Sequence, residues 1–260
     1  MARQVGDDRV IAWTLHRMSR FGGPNPEQWY GATAWELADG ALSLYRSAGD
    51  PWGIAVALAW LGNLAFRRRN SNHALHLFTE ALATARSVGE RHCLAFTLRY
   101  FGEATSTENE SAARAYLVES QRLYRELGDL QGPAFDEYLL GRLECLHGHY
   151  AVAREHYRTS LRPFKEWNWL EMVARPLQGL AMVAAGERQP ERAFRLAGAS
   201  AQLATAASVE VSPIERAELD EALAPTRQML GENGSASAWA EGQAMTLEEA
   251  VAYALEDLIH

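Results

Sequence analysis

Residues 128–161 read GDLQGPAFDEYLLGRLECLHGHYAVAREHYRTSL, and a pattern in this stretch recurs along the chain. It opens on a glycine followed by an acidic residue, and Ala134 comes six residues after the glycine. The same step begins at Gly6, Gly49, Gly89 and Gly128, and a degraded copy begins at Asn168. Successive copies start 43, 40, 39 and 40 residues apart. Self-similarity at a nearly fixed period is the signature of a repeat architecture.

Small residues mark fixed positions in both halves of each copy. Seven residues after the alanine, the first halves carry Ser19, Gly62, Gly102, Gly141 and Ala181. The second halves carry Ala34, Ala74, Ala113, Ala153 and Ala193. Antiparallel helices approach closely only where the facing side chains are small, and larger residues fill the layers between: Leu58, Leu61, Phe78 and Leu82. The apolar period of 3.6 residues, without strand alternation, predicts two helices in each copy.

A single helix pair cannot bury its own apolar face, so the copies are expected to stack on one another. The sequence therefore predicts an all-α fold, an α-solenoid of five tandem helix pairs. The pairs are expected to span residues 6–48, 49–88, 89–127, 128–167 and 168–207.

The copies resemble the tetratricopeptide repeat family. The resemblance is carried by Leu61-Gly62, Ala74, Phe78 and Ala81 in the second copy and by Leu140-Gly141, Ala153 and Tyr157 in the fourth. Residues 147–151 resemble the inter-helix turn of that family, in which a glycine supplies a positive φ. The resemblance implies a right-handed α-solenoid. The unit here is longer than the family's usual length of about 34 residues, and the insertion at 21–26 is expected to break the first helix of copy one.

The region 208–260 departs from the repeat and carries signals for two capped helices. Residues 212–215, Ser-Pro-Ile-Glu, place an N-cap serine before a first-turn proline, and residues 246–249, Thr-Leu-Glu-Glu, form a capping box. Gly231 and residues 232–235 are expected to end the first of these helices, with a short helix over 236–243 before the second. These C-terminal helices are expected to cover the apolar end of the solenoid.

The tail is also similar to the C-terminal region of large bacterial LuxR-type regulators, the MalT-like group of signal-transduction ATPases. The matching stretches are 192–199, 215–219, 222–223, 238–242 and 247–251. In that group a helical-repeat sensor follows a nucleotide-switch domain. The resemblance therefore implies a sensor arm in transcription regulation or signal transduction.

Composition excludes several classes of function. The chain has 260 residues and a net charge of −8, which argues against direct contact with nucleic acid. No stretch approaches the length of a membrane span, and the first ten residues lack the apolar segment of a signal peptide, so a cytoplasmic location is expected. Cys93 and Cys145 are far apart and predict neither a disulfide nor a zinc site.

No catalytic or cofactor motif is recognisable, and an enzyme is not expected. The only lysine, Lys165, lacks the glycines of a phosphate-binding loop. His147, His149 and His156 lie near Cys145, but His147 and His149 flank the glycine of the repeat turn, which explains them better than a metal site does. Acidic residues on the helices are expected to be solvated rather than catalytic: Asp136, Glu137, Glu155 and Glu218.

A partner is expected on the first helix of each pair, which lines the concave surface in the tetratricopeptide family. Counting from the small residue of each copy selects the inward positions Trp13, His16, Arg20, Asn63, Phe66, Phe96, Arg99, Glu103, Phe135, Tyr138, Arg142, Arg175 and Gln178. Arginines beside aromatic rings can clamp a carboxylate-bearing ligand, because the guanidinium fork matches a carboxylate. Alternatively, the aromatic residues belong to the core and the arginines pair with acidic neighbours such as Glu103.

These features predict a protein-interaction or sensor module of a bacterial signalling or transcriptional regulator, with a peptide or protein bound in the concave groove. The alternative is a receptor domain in which the same groove encloses a small-molecule effector. An enclosed pocket would favour the small molecule, and an open channel the peptide.

Overall fold

A computed structural model of the chain describes residues 2–21, 32–207 and 213–256. Within these ranges every regular element is an α-helix, and the chain divides into two compact units, Met1–Pro133 and Ala134–His260. The helices of the first unit are α1 Ala2–Phe21, α2 Ala32–Ser47, α3 Pro51–Arg67, α4 Ser71–Val88, α5 Arg91–Thr105 and α6 Glu110–Glu126. Those of the second are α7 Gln131–Leu146, which starts just before the unit boundary, α8 Tyr150–Glu166, α9 Leu170–Gly186, α10 Pro190–Ala206, α11 Pro213–Gln243 and α12 Leu247–Leu255.

Helices pack mainly on their neighbours in the sequence. In the first unit α1 packs on α2, α3 on α4 and α5 on α6, and α3 also contacts α5. In the second unit α8 packs on α9, α9 on α10 and α10 on α11. This sequential packing within each unit is that of an α-solenoid, and it confirms the predicted fold class. Each of the last four predicted segments contains two of these helices. In copy one, α1 begins at Ala2, so the predicted opening step Gly6-Asp7 lies inside the helix and not before it. The assignment of the pairs as tetratricopeptide repeats stays a prediction.

The repeated glycine-acidic step builds the turn between helix pairs. Gly49, Gly89 and Gly128 have positive φ values of 61°, 70° and 70°, and the degraded copy places Asn168 there at 50°. Asparagine is among the few other residues that tolerate this left-handed conformation. The acidic residue that follows then caps the next helix: the Asp50 carboxylate accepts a hydrogen bond from the Gly53 amide. The step therefore ends one helix and starts the next.

The small residues lie where the paired helices touch. A Cβ added to Gly62 would come within 2.9 Å of the Phe78 ring, and one on Gly102 within 2.8 Å of the Leu117 side chain. Gly141 faces Tyr157 in the same way, at 2.8 Å. The predicted close approach is therefore confirmed at these three crossings, and the predicted large core residues are buried around them: Leu58, Leu61, Phe78 and Leu82.

The C-terminal region differs in one respect from its prediction. Helix α11 is interrupted at Gly231, where φ is 70° and ψ is 168°, so the predicted break at this glycine is confirmed. The prediction that residues 232–235 continue the break is wrong, because the helix resumes directly after Gly231 and runs to Gln243. Ser212 and most of the insertion 21–26 lie outside the described residues.

Helix α12 begins and ends with well-defined polar contacts. The predicted capping box is confirmed, since Thr246 and Glu249 exchange side-chain hydrogen bonds with each other's backbone. At the other end the Arg192 guanidinium donates to the Tyr253 carbonyl at 2.9 Å, and Arg158 donates to the Glu256 carbonyl at 2.7 Å. Both contacts satisfy carbonyls that a helix C-terminus leaves without an internal donor. They fix α12 to α8 and α10.

Among the described residues, no helix is long and apolar enough to cross a membrane.

Candidate functional site

The inward positions of copy one differ in exposure. Trp13 is 49% exposed on α1, whereas His16, less than one turn later, is buried. The side chain of Arg20 lies outside the described part of the chain. This end of the first unit therefore offers Trp13 as an accessible aromatic surface.

The inward residues of copies two and three form a buried polar network. The Asn63 carbonyl oxygen accepts a hydrogen bond from Arg67 Nε at 3.4 Å. The same arginine bridges to the Glu103 carboxylate at 3.2 Å, and both Asn63 and Glu103 are buried. Phe66 packs against the surrounding core. Glu103 therefore pairs with an arginine, as in the alternative that the sequence leaves open, but the partner is Arg67 and not one of the predicted inward arginines.

Phe96 and Arg99 are also part of the first unit's interior. Phe96 is buried with its ring edge-on to Tyr100, at a centroid distance of 4.8 Å. Arg99 is only 9% exposed, donates to the Gly132 carbonyl at 2.8 Å and lies 4.4 Å above the Tyr124 ring. These contacts commit Arg99 to the packing of the first unit.

The aromatic inward residues of copy four pack with other rings. Phe135 is edge-on to Phe164 and Trp169, with centroid distances of 5.4 and 5.5 Å. Tyr138 is buried beside Tyr157 at 6.2 Å. Both predicted site residues thus contribute to the core of the second unit.

The polar inward residues of copies four and five lie on one surface and bind helix α11. Arg142 on α7 bridges to the Glu218 carboxylate, with nitrogen–oxygen distances of 3.2 and 3.4 Å. Arg175 on α9 donates to the Glu215 carboxylate at 2.8 Å, and Gln178 donates to the Glu215 backbone carbonyl at 3.0 Å. We call Arg142, Arg175 and Gln178 the arginine face.

The arginine face contacts the first part of α11, residues 213–230. Along this segment the most buried residues recur at helical spacing, with Glu215, Leu223 and Thr226 all below a tenth exposed and Leu219 and Ala222 partly buried. The opposite side of the helix faces solvent and includes Ala217, Ala224 and Gln228. The segment is therefore an amphipathic helix whose inner side carries an anchoring carboxylate.

The second part of α11, residues 232–243, is held much more closely. A Cβ added to Gly198 on α10 would lie 2.2 Å from the Trp239 carbonyl oxygen, and one on Gly242 would lie 2.0 Å from the Arg195 carbonyl oxygen. The backbones of α10 and α11 are thus in direct contact. Gly231 separates this closely packed part from the part on the arginine face.

Several acidic residues are not solvated as predicted. Asp136 is fully buried, and Glu137 lies with its carboxylate 2.7 Å from His156 Nδ1. Glu218 is bound by Arg142. The prediction of solvated faces is wrong for Asp136 and Glu137, because tertiary neighbours cover them. Glu218 is paired but keeps a third of its side chain exposed, and Glu155, with a side chain 70% exposed, faces solvent as predicted.

His149 and His156 each lie beside a carboxylate, and Cys93 and Cys145 are buried thiols. His149 Nδ1 lies 3.0 Å from the buried Glu144 carboxylate, whereas His156 pairs with Glu137. Burial raises the pKa of the Cys145 thiol to about 12, and Cys93 is affected in the same way. Both thiols are therefore protonated at neutral pH, which lowers their nucleophilicity.

The spacing of the repeat predicts that Arg142, Arg175 and Gln178 face inward, but it does not predict that residues 213–230 bind there. The sequence predicts a capping role for Glu215 and a solvated position for Glu218. The available signal was the acidic run of residues 215–221, Glu-Arg-Ala-Glu-Leu-Asp-Glu, in which two carboxylates lie one turn apart.

Comparison with models of known protein families and with curated proteins gives no match for this chain.

Proposed function

We propose that this chain is a tetratricopeptide-like interaction module of a large bacterial regulator of the LuxR type, acting in the cytoplasm. Its task is to bind a protein partner on the first helices of its repeats. One observation carries the proposal: the arginine face binds the first part of α11, an amphipathic helical segment, through the carboxylates of Glu215 and Glu218 and the backbone carbonyl of Glu215. A surface with these donors is suited to a helical protein segment.

The chemistry of the arginine face supports a protein partner. Two guanidinium groups from different helices bind two carboxylates, which gives both charge complementarity and directionality. Gln178 binds a backbone carbonyl, which any residue presents at that point of a helix. A helical segment with properly spaced acidic residues satisfies all three groups.

The test is selection of ligands from a display library of random peptides, using a chain in which Glu215→Gln and Glu218→Gln weaken its own occupant. Selected peptides are then measured on the same chain with Arg142→Ala and Arg175→Ala added. Loss of two charge-assisted contacts is expected to reduce affinity by about tenfold to a hundredfold or more.

A matched control replaces two exposed helix arginines, Arg86 and Arg162, by alanine. It removes the same charge but leaves the arginine face intact, so affinity should change little. The proposed function would be contradicted if the selected peptides bound equally to the selection chain, to the chain without Arg142 and Arg175 and to the control chain. A selection that yields no arginine-dependent peptide would contradict it as well.

A further inference from the structure

Residues 213–230 occupy the arginine face as an internal ligand that is held mainly by polar contacts at Glu215 and Glu218, and by Arg227, whose guanidinium lies 5.6 Å from the centre of the Phe194 ring. Between 215 and 230 only one large apolar side chain, Leu223, is fully buried. Pro225 lies inside this helix and lacks the amide hydrogen that the helical ladder uses, which weakens the segment further. The contrast with residues 232–243, whose backbone touches α10, indicates that the two parts of α11 can separate.

Gly231 provides the point of separation. Its φ of 70° and ψ of 168° lie in a region that is essentially restricted to glycine. A Cβ at this position would meet no atom within 4 Å, so packing does not explain the glycine. The backbone conformation does, because it sets the angle between the part of α11 on the arginine face and the part on α10.

We infer that the partner of the arginine face is an acidic amphipathic helix with two carboxylates one turn apart, and that it binds by displacing residues 213–230. This inference rests on the proposed function and specifies its partner. The internal segment shows the required chemistry: Glu215 and Glu218 engage Arg175 and Arg142, and Asp220 and Glu221 add negative charge on the same helix. The internal segment competes with the partner. The apparent affinity for the partner is therefore the intrinsic affinity multiplied by the fraction of chains whose arginine face is open.

The experiment uses a synthetic peptide of residues 213–230, titrated into the full chain and followed by calorimetry. The chain with Glu215→Gln and Glu218→Gln should bind this peptide at least about tenfold more tightly than the unmodified chain, because its own segment competes less well. Adding Arg142→Ala and Arg175→Ala should abolish that gain. A peptide carrying the two glutamine substitutions should bind poorly to every chain.

A second variant opens the face without replacing any residue that contacts it. Gly231→Ala disfavours the observed backbone conformation and should shift residues 213–230 away from the face, since residues 232–243 are held by backbone contacts. It should therefore also bind the peptide more tightly than the unmodified chain. Circular dichroism confirms that each variant remains folded before titration.

Two outcomes would overturn the inference. Equal affinity for the opened and unmodified chains would mean that residues 213–230 do not compete for the face. Absence of binding to both opened chains would mean that an acidic helix is not the ligand. If the peptide library nevertheless yields arginine-dependent ligands of other composition, the proposed function stands and only the inference fails.

Discussion

Replacing Glu215 by glutamine tests how strongly the arginine face holds α11. The carboxylate lies 2.8 Å from Arg175, and the two side chains are only 9% and 19% exposed, so solvent screens the contact weakly. A charge-assisted hydrogen bond of this kind contributes about 1.5–3 kcal/mol. Arg175 keeps its contact with Glu171 at 3.2 Å, which favours the lower end of that range.

The pair formed by Arg142 and Glu218 provides the comparison. Its side chains are 23% and 33% exposed and its shortest distance is 3.2 Å. Surface pairs of this kind contribute about 0–1 kcal/mol. Glu218→Gln is therefore expected to lower the stability of the second unit less than Glu215→Gln does.

The assay is urea unfolding of a double-mutant cycle, with Glu215→Gln, Arg175→Met and their combination. Methionine keeps the apolar stem of the arginine. The transition of the second unit is fitted separately, because a chain with two compact units need not unfold in one step. A coupling free energy of about 1–2 kcal/mol is expected between Arg175 and Glu215. Coupling near zero, or a larger loss of stability from Glu218→Gln than from Glu215→Gln, would refute the claim that Arg175 and Glu215 form the stronger pair.

Three further results are expected. Gly62→Ala should lower the free energy of unfolding by about 1–3 kcal/mol, because the new Cβ would come within 2.9 Å of the Phe78 ring. Gly40→Ala should raise it by up to about 1 kcal/mol, because the nearest atom, on Leu15, is 3.6 Å away and alanine favours the helix. Thermal unfolding that ranks the two variants the other way would contradict the packing described. Thr246→Ala should remove the cap of α12 at a cost of about 0.5–2 kcal/mol, seen as faster hydrogen exchange confined to that helix. Alkylation of Cys93 and Cys145 at mildly alkaline pH should be no faster than unfolding, because burial raises the pKa of both thiols to about 12; rapid labelling of the folded chain would disprove their protonation and burial.

The features that the sequence predicted well depend on local rules. A glycine that ends one helix in the left-handed conformation and an acidic residue that caps the next depend only on neighbouring residues, so the turns at Gly49-Asp50 and Gly89-Glu90 can be recognised without knowing the fold. The same pair of residue types at Gly102-Glu103 lies inside a helix, so the position within the repeat is also needed. Likewise Gly62 had to lie at a crossing, since it recurs at one position in consecutive copies.

The features that the sequence did not predict depend on distant residues. Arg142 is bound by Glu218, 76 positions later, and nothing in the period of the repeat specifies that contact. Arg99 occupied an inward position by counting, yet it is buried by its contacts with Gly132 and Tyr124. The polar composition of residues 232–235 predicts the end of a helix, whereas the helix resumes after Gly231 and continues into the part of α11 whose backbone contacts α10 at Trp239 and Gly242.

The most direct test of the central claim is hydrogen–deuterium exchange in the two parts of α11. If the arginine face binds residues 213–230 through their carboxylates, Arg142→Ala with Arg175→Ala should speed exchange in this part and leave residues 234–243 as protected as before. The control with Arg86→Ala and Arg162→Ala should change neither part. Unchanged protection of residues 213–230, or an equal loss in both parts of α11, would contradict the claim that the arginine face is a helix-binding surface.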